Sequence, residues 1–245
     1  MTARAARWAL ALAAVYAAAF AVTRVLWWAV LQVRPEGIHP LVPAGLPAFM
    51  IAFAVFFLPL LYLFNSALLG QRLRIQPPKL VLYMGVTFFC ALWAEIGADS
   101  LFVAVIGRPC WTYETWPVHH GFTSGVGTLM WPMYGFFLYG LHQAIDGNPR
   151  LVFLRPRWAK AVLVGVDAML LEVAANAFAL GGFGTWFFHY HAPDLLHFTT
   201  WEVFVPYVIT AYVGLSLLHA VETRLPHVPT GAALYAAGLL SLWLV

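Results

Sequence analysis

The chain has 245 residues, 62% of them hydrophobic and only 9% charged, against about 25% charged in an ordinary soluble domain, and that balance excludes a water-soluble fold. Thirteen Lys and Arg against ten Asp and Glu leave a formal charge of +3. The basic residues fall in small groups with no run or stripe, so nucleic-acid binding has no electrostatic footprint.

Apolar stretches run over residues 8–33, 44–69, 80–107, 124–145, 161–183, 200–221 and 231–245. Spans of about 20 residues with short connections use up this length. The expectation is an all-α, polytopic integral membrane protein of the cell membrane: one transmembrane domain over residues 1–245, with seven transmembrane helices. The start, Arg4 and Arg7 before an Ala-rich run to Ala21, also has the form of a signal peptide; it is read as an uncleaved first helix. Cys90 and Cys110 on one helix would stand about 30 Å apart, so no disulfide is expected.

Lys and Arg are retained on the cytoplasmic side of short loops. With the N-terminus inside, Arg4, Arg7, Arg72, Arg74, Lys79, Arg150, Arg155, Arg157, Lys160 and Arg224 are cytoplasmic, and Arg34 and Arg108 are external. The C-terminus is then outside. External loops cover residues 34–43, 108–123 and 184–199, the last two dense in Trp, Tyr and His, which at that depth read as interfacial anchors.

An internal repeat organises the polar residues. AEIGADSLF at Ala94 and LEVAANAFA at Leu171 each place a glutamate near mid-span, Glu95 and Glu172, followed four residues later by Asp99 and Asn176. Each copy leaves through an aromatic loop, with Trp111 and Tyr113 in one and Trp186 and Tyr190 in the other. Each returns through a helix bearing a proline, Pro132 or Pro206. Both copies start on the cytoplasmic side, so these are tandem parallel two-helix repeats about an axis along the membrane normal. The hairpins cover about 8–69, 80–145 and 161–221, with a final helix at 231–245; the first is a third, diverged copy carrying Arg24 where the others have carboxylates.

Burying a carboxylate near the bilayer centre costs at least about 2.5 kcal/mol, so Glu95, Asp99, Glu172 and Asn176 are expected to face the bundle interior, with Arg24 as the nearby cation. A buried ion pair that fixes packing is one reading of this set, and a working polar pocket is the other. HYHAPDLLH supplies His189, His191, Asp194 and His197, with Glu202 beyond them. These are the residues a zinc or iron ion would use, but their spacing fits no tight ligand motif, and no metal or other cofactor is expected. A retinal pigment needs a mid-span lysine, and Lys79 and Lys160 stand at span edges. Walker, GxSxG and HExxH motifs are absent.

The intramembrane acid, the loops GRPCWTY at Gly107 and GTWFFHY at Gly184, and the segment TTWEVFVPYVITAY at Thr199 together resemble the small integral-membrane lycopene cyclases and related carotenoid-modifying enzymes. The resemblance covers residues 95–139 and 172–212. It implies an all-helical fold of two similar halves and protonation of a polyene double bond. Where those cyclases carry Pro-x-Glu-Glu, this chain has Thr200, Trp201, Glu202 and Val203, so one glutamate of the pair stands. HHGFTSGVGTLMWPMYGF at His119 also resembles a stretch of the TMEM229-like and CmpB-type permease families.

Independently of either likeness, an acid in an apolar pocket can hold a proton and pass it to an alkene, and aromatic faces stabilise the resulting cation. The leading expectation is an intramembrane enzyme acting on an isoprenoid or other lipid by proton transfer, of cyclase, isomerase or hydratase type. Glu95, Asp99, Glu172 and Glu202 would be catalytic, with Arg24, Trp111, Tyr113, Asn176, Trp186 and Tyr190 binding substrate. A proton- or cation-coupled transporter and a structural subunit of a membrane complex are the alternatives. Oligomeric state is open.

Overall fold

The computed structural model describes residue 41 and residues 43–243. The first expected span, and Arg24 within it, lie outside the described residues. Six α-helices follow: α1 (Leu46–Leu69), α2 (Pro77–Ile106), α3 (Gly127–Gly147), α4 (Arg157–Phe183), α5 (Phe204–Arg224) and α6 (His227–Ser241). Pro77 and Pro78 open α2 where no intrahelical donor is needed. Helices α1, α2 and α4 stop at Gly70, Gly107 and Gly184, each left-handed and returning its N–H to the last turn, as glycine does without a Cβ penalty.

Helices α1, α2, α4 and α5, the last with the turn from Trp201, are long and apolar enough to cross a membrane. Their outward faces carry Ile51, Val55, Leu101, Val105, Ile209 and Val213, with Val55 69% and Val105 70% exposed. The interior instead holds Asn65, Glu95, Asp99 and Asn176. This inverts the pattern of a soluble protein and is compatible with lipid as the surrounding solvent. More than half of helix α3 is buried, so most of its surface meets protein.

Helices α3 and α6 both pack on α2, α1 packs on α3, and α4 packs on α5. The α2–α6 contact runs backbone to backbone: a Cβ at Gly85 would collide with the Gly231 carbonyl, and one at Gly231 with that of Val81. By contrast, α2 meets α5 only thinly, and so does α1 meet α4. The interior between the α2–α3 and α4–α5 hairpins is therefore underfilled.

The hairpins are tied at one end by backbone pairing. Strand β1 (Trp111–Tyr113) lies between α2 and α3, β2 (Pro117–Val118) and β3 (Thr123–Ser124) follow it, and β4 (Phe188–Tyr190) lies between α4 and α5. Strands β1 and β4 pair antiparallel, Trp111 against Tyr190, Thr112 against His189 and Tyr113 against Phe188. Beyond the ladder, Glu114 donates its N–H to Phe187 O at 3.1 Å and His191 donates to Cys110 O at 3.0 Å. Strands β2 and β3 form a second short ribbon. Each loop also holds two consecutive left-handed residues, His119 and His120 in one and Leu196 and His197 in the other.

This corrects the reading of the aromatic loops as interfacial anchors. Trp111, Tyr113, Trp186 and Tyr190 are at most 5% exposed. Non-helical backbone within a membrane must satisfy its polar groups inside the protein, and the ribbon does so while turning these rings inward.

Candidate functional site

Each mid-span glutamate is the focus of three hydrogen-bond donors. On α2, Glu95 accepts from the Tyr113 hydroxyl at Oε1, and at Oε2 from Thr123 Oγ1 at 2.7 Å and Trp131 Nε1 at 3.2 Å. On α4, Glu172 accepts at Oε1 from the Tyr190 hydroxyl at 2.5 Å and from the Tyr207 hydroxyl, and at Oε2 from Thr199 Oγ1 at 2.6 Å. The Tyr190 and Tyr207 hydroxyls also lie 2.9 Å apart. Among the described residues no Lys or Arg pairs with either glutamate. Neutral donors thus replace the lost water, and directed hydrogen bonds can stabilise a buried carboxylate in this way.

The tyrosines remain phenols. Burial, and then the neighbouring Glu95 carboxylate, push Tyr113 well above its ordinary value, and burial with Glu172 does the same to Tyr190. A phenolic or Thr hydroxyl both donates and accepts. The two networks therefore accommodate a proton on the glutamate by turning one hydroxyl from donor to acceptor, and they offer a short route for that proton.

Asp99 and Asn176, one turn beyond the glutamates, hold loop backbone. Asp99 Oδ1 accepts from the N–H of Cys110 at 2.6 Å and of Trp111 at 3.4 Å, while its Oδ2 is buried without a partner. Asn176 Oδ1 accepts from Phe188 N at 3.3 Å, and its Nδ2 donates to Phe198 O at 3.3 Å. Both residues are fully buried.

Two cavities meet at the glutamates. The first, about 130 Å³, lies between α2, α3, α4 and α5; Glu95 is in its wall with Trp111, Trp131, Tyr134 and Tyr207, and the rest of the lining is mostly apolar. The second, about 70 Å³, has Glu172 in its wall and is bounded by α1, α3 and α4. Trp131, Tyr134, Ala168 and Tyr207 line both and form the partition. Asp167, near this partition on α4, keeps Oδ2 buried without a hydrogen-bond partner.

The other expected site residues stand apart from the cavities. Glu202 bonds Arg108 at 3.2 Å and receives the Cys110 thiol at 3.8 Å. Trp186 is buried against Phe198, with ring centroids 5.3 Å apart. His189 lies 3.2 Å from Glu114, and its ring is 5.1 Å from that of His191. Burial, His189, Arg108 and His197 hold the His191 imidazole below its usual range, and Thr112 Oγ1 is 2.9 Å from its Nε2. His197 Nδ1 meets Tyr190 O at 2.6 Å, and Asp194 accepts from Thr200 and Trp201. Among the described residues no three His, Cys, Asp or Glu side chains converge as a metal site.

Sequence reasoning missed Thr123, Trp131, Thr199 and Tyr207. Their signal was the shared spacing: the threonines follow their glutamates by 28 and 27 residues, and Trp131 and Tyr207 follow theirs by 36 and 35. Compared with protein-family models, with curated proteins and with solved structures, the chain matches none.

Proposed function

We propose that the chain is a multi-pass enzyme of the cell membrane that moves protons to or from carbon in an isoprenoid or other lipid, by cyclase, isomerase or hydratase chemistry. The observation that carries this reading is the first cavity: a mostly apolar chamber with an exchangeable acid, Glu95, and aromatic faces in one wall. Such a chamber suits a hydrocarbon substrate whose protonation creates a cation, because the aromatic faces stabilise that cation. Glu95 and Glu172 are the proton-transfer groups, relayed through Tyr113 and through Tyr190 and Tyr207. The free oxygen of Asp99 gives the proton a further stop on the loop side.

The architecture proposed with it is seven spans, N-terminus cytoplasmic and C-terminus external, with two tandem parallel repeats. Support for the repeat comes from positions 77 residues apart: Glu95 and Glu172, Asp99 and Asn176, Tyr113 and Tyr190, and the left-handed pairs His119–His120 and Leu196–His197.

Reconstitution in vesicles of native lipid extract in D2O tests the reaction whichever lipid is the substrate. Mass spectrometry of the recovered lipid should find deuterium bound to carbon in one lipid class. Glu95→Gln or Glu172→Gln should lower the incorporation rate by about 10²–10⁴ while the protein stays folded. No incorporation, or incorporation unchanged in both variants, removes the enzyme reading. Proton-coupled solute uptake by the same vesicles would assign the carboxylates to a transporter instead.

A further inference from the structure

The first cavity runs along its helices to a second polar cluster. At the end nearer the start of α2, its lining includes Val86 and Thr87 on α2, Leu138 on α3, Val164 on α4 and Leu218 on α5. Three to four residues further in the same direction on those helices stand Tyr83, His142, Lys160 and Glu222. Residues at that spacing lie on one helix face, so four helices bring these side chains to the cavity's end together.

The cluster contains both lysines of the chain. Lys79 pairs with Glu222 at 2.5 Å, and its ammonium stands 5.7 Å from the centre of the Tyr83 ring. That ring packs edge-on against His142, centroids 5.5 Å apart. His142 Nδ1 is buried with no hydrogen-bond partner. Lys160 is unevenly matched: its side chain is 16% exposed, whereas Asp146, its partner at 3.5 Å, is 66% exposed. Water screens that acid far more than it screens the lysine. Among the described residues, Lys79 and Glu222 cancel within the sheltered part of the cluster, and the sheltered Lys160 is left with only its water-exposed partner Asp146.

We infer that the occupant of this cavity is a single-chain amphiphile with an anionic head, a carboxylate or a phosphate, held by Lys160 and His142 while its chain extends to Glu95. The inference rests on the proposed lipid-modifying function and names the substrate class for that site. Charge complementarity selects the head, since an anion beside Lys160 supplies a sheltered counter-charge and an acceptor or donor for His142 Nδ1. Length selects the chain. From Tyr83 to Glu95 is twelve residues, about 18 Å of helix, close to one leaflet's half of the about 30 Å hydrocarbon core. A lipid drawn sideways from the leaflet would keep its head at the interface and bring its far end to the acid. The thin α2–α5 contact is the seam through which it would pass.

Parinaric acid, a fluorescent tetraene carboxylate, and its neutral methyl ester are suitable probes. They would be titrated into the full chain in phosphatidylcholine nanodiscs, with binding followed by energy transfer from tryptophan. The acid should bind about tenfold more tightly than the ester, the scale of one charge-assisted hydrogen bond. Lys160→Gln should abolish that preference, Lys160→Arg should keep it, and Asp146→Asn, which releases Lys160 from its exposed partner, should preserve or increase it. Oleate and geranylgeranyl phosphate, as competitors, separate a carboxylate from a phosphate head, and displacement by either one supports the inference. Equal binding of acid and ester by the wild-type chain overturns it even where a lysine variant fails to fold, as does a preference untouched by Lys160→Gln. Glu95→Gln should still bind the acid preferentially. Head-selective binding without deuterium incorporation would therefore refute the proton-transfer reading alone, and incorporation into a neutral lipid without acid preference would refute this inference alone.

Discussion

Replacing Asp99 by Leu or by Asn separates what its carboxylate holds from the charge it carries. Asp99 accepts from two buried backbone N–H groups, Cys110 at 2.6 Å and Trp111 at 3.4 Å. Leu fills similar space but accepts nothing, so both donors lose their partner at the point where α2 gives way to β1. An orphaned buried donor costs about 1–3 kcal/mol, and with the longer bond counting for less the loss should be about 2–4 kcal/mol. For a chain of this length that is a fall in Tm of about 4–16 °C. Asn keeps an acceptor in the same place, and Asn176 already performs the equivalent task at the start of β4. Asp99→Asn should therefore stay within about 1 kcal/mol of the parent. Thermal unfolding of the purified protein in one detergent, followed by near-ultraviolet circular dichroism, reads both. Equal damage from Asn and Leu, or none from Leu, would refute the view that Asp99 secures the loop by accepting from its backbone.

At Gly85, substitution by Val should force α6 away from α2 and destabilise the fold by about 1–3 kcal/mol or more, because the Gly231 backbone occupies the space of a side chain; an unchanged Tm would contradict that close packing. The Cys110 thiol is fully buried, and burial followed by Glu202 pushes its pKa up. In a Cys90→Ala background it should resist N-ethylmaleimide at pH 8 until the protein unfolds, and native-state labelling would count against the packing of this loop. The same upward shift means that the unfolded chain ionises first, so the thiol's contribution to stability should be lost as pH rises above its ordinary 9.0; stability that increases above that pH would contradict the sign. Reporter fusions after Arg74, His120 and Arg157 and at Val245 should read cytoplasmic, external, cytoplasmic and external, and a cytoplasmic signal at Val245 alone would remove the last crossing.

Four of the helices were legible because they are long and apolar enough to cross a membrane. Residues 44–69 and 161–183 correspond to Leu46–Leu69 and Arg157–Phe183. The misplaced ends share a cause: Lys79, Arg157 and Glu222 are charged yet still helical, since long side chains reach water from within a helix end. Mid-span Glu95 and Glu172 were visible as expensive residues in apolar surroundings. Their partners were marked only by the spacing the two copies share, because helical periodicity carries no information across a loop. Tyr113, which bonds Glu95, stands on β1, and β1 pairs with β4, a contact between segments 77 residues apart that neither segment signals by itself. Trp186 and Glu202 show the reverse case: their residue types suited the chemistry, but the turns around them aim one into packing and the other at Arg108.

The ribbon between β1 and β4 also constrains how the chain is made. When β1 has left the ribosome, its backbone still lacks the partner that β4 will supply. At the about 5–20 residues per second of protein synthesis, β4 follows 77 residues and roughly 4–15 s later. For that interval β1 must be kept in water, against neighbouring segments of its own chain, or on a holding factor. A pause or a rare-codon run between Gly147 and Phe188 would lengthen the exposure. Misassembly should then begin at β1, with two nascent copies pairing through their first strands before either has made its own β4.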